Sequence, residues 1–185
     1  MLRTLVSCAV LLLAGAQRGV VRDVDGRALD VFKPADGAGR INVLLFVSSD
    51  CPISNGYAPA IQKICAAYAS RGASCSLIYE DAAIGPAAVR AHLKEFGYSG
   101  IPAAIDAGAG VARQVNATVT PQAVVIDATG QVRYRGRIDN RYLELGKPRQ
   151  VVTVHALERA LDAVLAGRAV ATPDTPAVGC YIANR

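Results

Sequence analysis

Tryptophan is absent, methionine occurs once, and aromatic residues make up only 5% of the 185 positions. Nucleic-acid surfaces interleave basic residues with aromatics on one face, so this shortage argues against a nucleic-acid partner. Charge is also scarce, at 19%, and no long run of one sign occurs; disorder is therefore not expected away from the chain ends. No internal repeat or low-complexity block is present. The apolar stretch near the start is shorter than the ~20 residues that span a bilayer comfortably. Against these absences, 52% of the residues are apolar, ample material for one core in a single domain of this length. Twenty Lys plus Arg oppose 15 acids, a balance that favours solubility and an acidic partner.

The first residues read as an export signal. Arg3 precedes a mostly apolar run from Leu5 to Leu13, and Ala14-Gly15-Ala16 fits a small-x-small cleavage site. The expected organisation is a signal peptide at 1–16, a domain at 17–170 and a tail at 171–185, with the mature protein periplasmic or secreted. Leu5-Val6-Ser7-Cys8 looks like a lipoprotein box, but it precedes the apolar run. Cleavage would remove Cys8 and leave Cys51, Cys65, Cys75 and Cys180 of the five cysteines where disulfides persist. Four cysteines allow three full pairings, and spacing does not choose among them.

Val20 to Phe32 reads as two short strands about Asp25-Gly26. Asp36-Gly37-Ala38-Gly39 is a loop, and Ile41 to Val47 is a continuous apolar run, the mark of a strand covered on both faces. A helix is expected from Pro52 to about Ser70, with Tyr57, Ile61, Ile64 and Tyr68 on one stripe. A strand at Cys75 to Tyr79 follows, then a helix from Pro86 to Gly97 with Val89, Leu93 and Phe96 inward. Next come a short strand from Pro102 to Ile105, an ambiguous segment near Val111, and a hairpin of Gln122–Asp127 with Gln131–Ile138. A last helix is expected over Val152 to Leu165. This order predicts an α/β fold, a mixed central sheet flanked by helices.

The chemistry centres on Cys51. Proline suits the first helical position, so Pro52 makes Cys51 the N-cap, facing the free amides of Ile53 and Ser54 and the positive end of the helix dipole. These favour a thiolate, and Asp50 opposes them. A strand end, a Ser-Ser-Asp loop and an immediate proline predict that the sulfur is exposed.

Ser48-Ser49-Asp50-Cys51-Pro52-Ile53-Ser54-Asn55, Thr120-Pro121 before Val-Val-Ile-Asp, Tyr134-Arg135-Gly136-Arg137-Ile138-Asp139 and a terminal Gly179-Cys180 resemble, in that order, the thioredoxin-like superfamily and its bacterial exported redoxin-domain proteins. The resemblance covers about residues 20 to 182. It implies a thioredoxin-like fold and a cis Pro121 opposite the active cysteine, leaving the Thr120 backbone free to pair with an extended substrate strand. Where thioredoxins carry Cys-x-x-Cys, this chain has Cys-x-x-Ser. A lone thiolate attacks a disulfide but does not complete a dithiol cycle by itself. Either an external thiol or another cysteine must resolve the intermediate, and Cys180 on a Gly/Pro-rich, mobile tail is the candidate. Ser54 either caps the helix or donates its hydroxyl to the Cys51 sulfur. Cys65 and Cys75 read as a core pair, free or disulfide-linked.

His92 reads as a partly exposed helical residue; resemblance to copper-delivering relatives makes it a weaker candidate ligand with Cys51. Arg135, Arg137 and Arg141 read as a solvated face paired to Asp139 or Glu144, or as groups that steer an acidic partner or support Cys51. The leading function is an exported thiol–disulfide oxidoreductase or isomerase without cofactor. Its expected partners are protein or small-thiol disulfides, an external reductant and an envelope redox protein. The alternatives are a peroxiredoxin-like peroxidase, in which Ser48 fits but Leu44 stands where that pattern has proline, and a copper carrier or docking module of a redox assembly.

Overall fold

The computed structural model describes residues 19–33, 40–81 and 83–182. The expected export signal, Cys8 and the expected Asp36–Gly39 loop lie outside them. The chain begins with the expected hairpin, β1 (Val20–Asp23) and β2 (Ala28–Asp30), and continues into β3 (Ile41–Val47). All seven residues of β3 are buried, because its two faces serve two cores. Val43, Leu45 and Val47 point into one, and Leu44 and Phe46 into the other. This is the period-2 alternation of a strand packed on both sides.

After the loop at 48–51 the helical segment is split into α1 (Pro52–Gly56) and α2 (Ala58–Ala69), which meet at Tyr57. The expected single helix breaks here because Pro59 stands in the first turn of α2 and has no N–H to continue the ladder. Then follow β4 (Ala73–Tyr79), α3 (Pro86–Glu95), β5 (Ala103–Ile105) and α4 (Gly110–Val115). The segment near Val111 is thus helical: Asp106 accepts hydrogen bonds from the amides of Gly110, Val111 and Ala112, a carboxylate set at the positive end of the turn.

Next come β6 (Val119–Thr120), β7 (Gln122–Asp127), β8 (Val132–Gly136), a small hairpin of β9 (Tyr142–Glu144) and β10 (Lys147–Pro148), α5 (Ala156–Leu165) and β11 (Cys180–Tyr181). Helix α5 starts four residues later than expected. Asn140 takes the amides of Thr153 and Val154 on its side-chain oxygen, and its own amide bonds Val154 O, which holds that β-branched run extended.

The main sheet runs β2-β1-β5-β4-β3-β7-β8. Strands β3, β4 and β5 are parallel, and β1, β7 and β8 join antiparallel. Helices α2, α3 and α5 pack on one face; α4 and Val31 lie on the other. Cys65 on α2 and Cys75 on β4 form a disulfide, tying that helix to the sheet. Because β3 and β4 are parallel and in register to Val47 and Tyr79, Cys51 and Glu80 follow adjacent strand ends on the same edge of the sheet. Crevices at the carboxyl ends of such strands are where open α/β sheets bind ligands.

Candidate active site

Cys51 is the N-cap of α1 in extended backbone, and its sulfur accepts a hydrogen bond from the Ser54 amide at 3.5 Å. On its other side Sγ donates to Thr120 O at 3.1 Å. The Ser54 hydroxyl accepts from the Ser48 amide at 3.2 Å. It therefore fixes the loop that carries Cys51, while the Ser54 contact with the sulfur is made by its backbone. Asp50 is exposed and takes a hydrogen bond from the Ser49 hydroxyl.

The expected exposure of Cys51 is wrong: only 1% of its surface reaches solvent. The cover comes from the far end of the chain. The Thr120-Pro121 bond is cis, as anticipated, and Thr120 presents its edge for pairing, but β11 already occupies it. Cys180 pairs with Thr120 and Tyr181 with Val119, antiparallel, and Ile182 N continues the ladder to Thr118 O at 3.0 Å. Ile182 is buried in the second core. Gly179 lies so near the cis peptide that a Cβ there would stand 2.1 Å from Thr120 O and 3.1 Å from Pro121 N. Upstream, the Arg135 amide donates to Pro173 O, the Thr175 amide donates to Arg135 O, and the Arg135 side chain pairs with Asp174. The tail expected to be mobile is docked along the domain over its described residues, from Pro173 to Ile182.

Docking brings Cys180 to Cys51. Cys180 stands opposite Thr120, whose carbonyl also takes the Cys51 sulfur, and burial, with Cys51 and Glu80 nearby, pushes the Cys180 thiol up to about 11. Glu80, which the sequence reading overlooked, is buried at the end of β4, and among the described residues its Oε2 has no hydrogen-bond partner. Burial raises its carboxyl to about 7, with Asp81 and Asp106 adding to the effect. The available signal was the acidic pair Glu80-Asp81 closing β4, the strand beside the one that leads to Cys51.

His92 is buried, against expectation, at 4% exposure. Its Nδ1 is 2.7 Å from the Tyr79 hydroxyl and its Nε2 is 2.9 Å from Asn55 Oδ1. Since an amide oxygen only accepts, Nε2 carries the proton and Nδ1 takes the tyrosine O–H. Asn55 in turn donates to Ser49 O at 2.8 Å. Burial lowers the pKa of His92, and the neutral ring anchors the loop before Cys51. Both nitrogens are engaged, and among the described residues no group of three or more His, Cys, Asp or Glu could hold a metal.

The arginines do not form one solvated face. Arg141 lies over the Tyr57 ring and pairs with Asp139, which also accepts the Tyr57 hydroxyl at 2.6 Å. Burial and that hydrogen bond drive the Tyr57 pKa above its ordinary value. Arg135 is spent on Asp174 and Val115 O, holding the tail. None of the hydrogen bonds and ion pairs found for Arg135, Arg137 or Arg141 goes to Cys51.

With this geometry in view, the redoxin family model matches residues 23–146. A hypothetical protein from Sinorhizobium meliloti is similar at 29% identity over 88% of both chains, with a TM-score of 0.75. An uncharacterized conserved protein from Geobacillus kaustophilus is similar at 26% identity over 88% of this chain and 86% of its own, TM-score 0.73. A secreted disulfide oxidoreductase from Mycobacterium tuberculosis shares the thioredoxin-like fold at 15% identity over 80% of this chain and 96% of its own, TM-score 0.56. No match was found among curated proteins.

Proposed function

Because this chain belongs to the redoxin family, we propose that it is an exported thiol–disulfide oxidoreductase cycling between a Cys51–Cys180 disulfide and the matching dithiol. The family and the thioredoxin-like fold support a redox function. The observation that carries the finer reading is that Cys180 pairs with Thr120, the same residue whose carbonyl the Cys51 sulfur contacts at 3.1 Å. A Cys-x-x-Ser helix start lacks a local resolving thiol, and the docked tail supplies one from the far end of the chain.

In the reducing direction, the dithiol transfers two electrons to a disulfide of a protein or small thiol, and Cys51 and Cys180 become linked. An external reductant, such as an envelope redox protein, regenerates the dithiol. The Ser54 amide points at the Cys51 sulfur, where a donor favours the anion released during exchange. Export fits the leader-like N-terminus and a disulfide between Cys65 and Cys75, a bond that persists in oxidising compartments. The peroxidase reading draws no support from the site, where Cys51 is sealed and Leu44 is a buried strand residue. The copper reading draws none from His92, whose two nitrogens are taken.

The test is multiple-turnover reduction of a small aromatic disulfide by the full chain with an external thiol. Cys51→Ser and Cys180→Ser should each abolish turnover above the free-thiol background. Full activity in Cys51→Ser removes the proposal.

A further inference from the structure

Two sulfurs share the site, but they are not equivalent toward solvent. Cys51 is 1% exposed, whereas Cys180 is only half-buried. The edge of Thr120, where an extended substrate would pair, already carries β11, with Cys180 opposite Thr120. A polypeptide cannot add to an edge whose hydrogen-bonding groups are taken. Gly179 reinforces this occupancy, since any side chain there would collide with the Thr120 carbonyl. The tail therefore sits as a resident strand in the place of a substrate, with its own cysteine opposite Thr120, the residue whose carbonyl takes the Cys51 sulfur.

We propose that Cys180, not Cys51, is the sulfur that exchanges with external thiols and disulfides, and that Cys51 is its interior partner. This rests on the Cys51–Cys180 couple proposed above and reverses the thioredoxin-type assignment in which the helix-start cysteine meets the substrate.

The chemistry balances. In the oxidised protein an external thiolate attacks Cys180 Sγ. The bond between its sulfur and Cys180 forms, the Cys51–Cys180 bond breaks, and the electron pair goes to Cys51 Sγ, where the Ser54 amide donates to it. A second external thiolate then attacks the external sulfur of the mixed disulfide. That step releases the external disulfide, and the departing Cys180 sulfur takes a proton. Two thiols are oxidised and one protein disulfide is reduced. Thiol–disulfide exchange needs the attacking, central and leaving sulfurs close to a line. Cys51 is sealed and Cys180 is partly exposed, so an attacker from solvent meets Cys180 and Cys51 is the leaving group.

Glutathione disulfide serves as the probe. Each single variant, Cys51→Ser and Cys180→Ser, is incubated with it as the full chain, and modified sites are mapped by peptide mass spectrometry, with circular dichroism to verify folding. Glutathione should appear on Cys180 in Cys51→Ser, and on Cys51 in Cys180→Ser about tenfold more slowly or worse, since Cys51 waits for the tail to open. Equal or faster capture at Cys51 overturns the inference. Wild-type protein treated with the same oxidant separates the two levels of the account. If it forms the Cys51–Cys180 disulfide while the variants favour Cys51, only the exchange order is wrong. If it forms no such disulfide, the functional reading fails with it.

Discussion

Replacing Gly179 with alanine should uncover Cys51. The new methyl would lie 2.1 Å from Thr120 O and 2.6 Å from Thr120 C. Both are backbone atoms rather than the end of a flexible side chain, so relief must come from the tail. Lifting β11 sacrifices its ladder to β6 and the Ile182-to-Thr118 hydrogen bond, worth about 0.5–1.5 kcal/mol for each bond. It also returns the buried Ile182 side chain to water, at a cost of roughly 1.5–3 kcal/mol. A loss of about 3 kcal/mol in docking raises the undocked fraction roughly a hundredfold. The assay is iodoacetamide labelling read at the Cys51 peptide, with Gly179→Ala compared with Gly179 in a Cys180→Ser background. Labelling of Cys51 should accelerate by about two orders of magnitude where reaction waits on local opening. The melting temperature should fall by only a few degrees, because the main sheet is untouched. Unchanged labelling in a folded protein would show that the tail is not what seals the sulfur.

Glu80 is raised from 4.5 to about 7 in the folded state, so the native protein binds more protons than the unfolded chain between those values. Its contribution is fully present below pH 4.5 and is lost as pH rises through 7; wild-type unfolding free energy should drop by about 3 kcal/mol across that window relative to Glu80→Gln. Urea titrations at pH 4.5 and 7.5 measure this, and a parallel response of the two proteins would contradict it. Replacing both Cys65 and Cys75 with serine opens a loop with a sequence separation of 10 and should cost about 2–3 kcal/mol of stability, with turnover retained. Loss of turnover in a folded double variant would place that disulfide in the chemistry. His92→Phe leaves the Tyr79 hydroxyl and Asn55 oxygen without their ring partners, and should destabilise by about 1–3 kcal/mol. Its Cu(I) affinity should match wild type; a marked drop would return His92 to the metal candidates.

What the sequence reveals divides along the reach of each signal. Burial on both faces of β3 is legible because six of its seven residues are apolar and leave no polar side, and Pro52 marks a helix start because proline is favoured at the first helical position. Thr120-Pro121 is legible from the strand that follows. The exposure of Cys51 misleads because neighbours at 48–52 describe only the helix start, while the cover is a strand contributed by residues 179–182. The same distance hides the burial of His92, set by Tyr79 and Asn55 on other elements. The late start of α5 comes from Asn140, and the short α4 is anchored by Asp106. Neither cause shows in hydrophobic period. Glu80 passes unnoticed because its importance arises only when parallel pairing aligns the ends of β3 and β4.

The most direct measurement is a redox titration of the full chain, quenched with acid and mapped without reduction. The account predicts one two-electron transition in which the peptides bearing Cys51 and Cys180 become covalently joined while Cys65–Cys75 stays linked throughout. A fully oxidised sample that still yields Cys51 as a free thiol would contradict it.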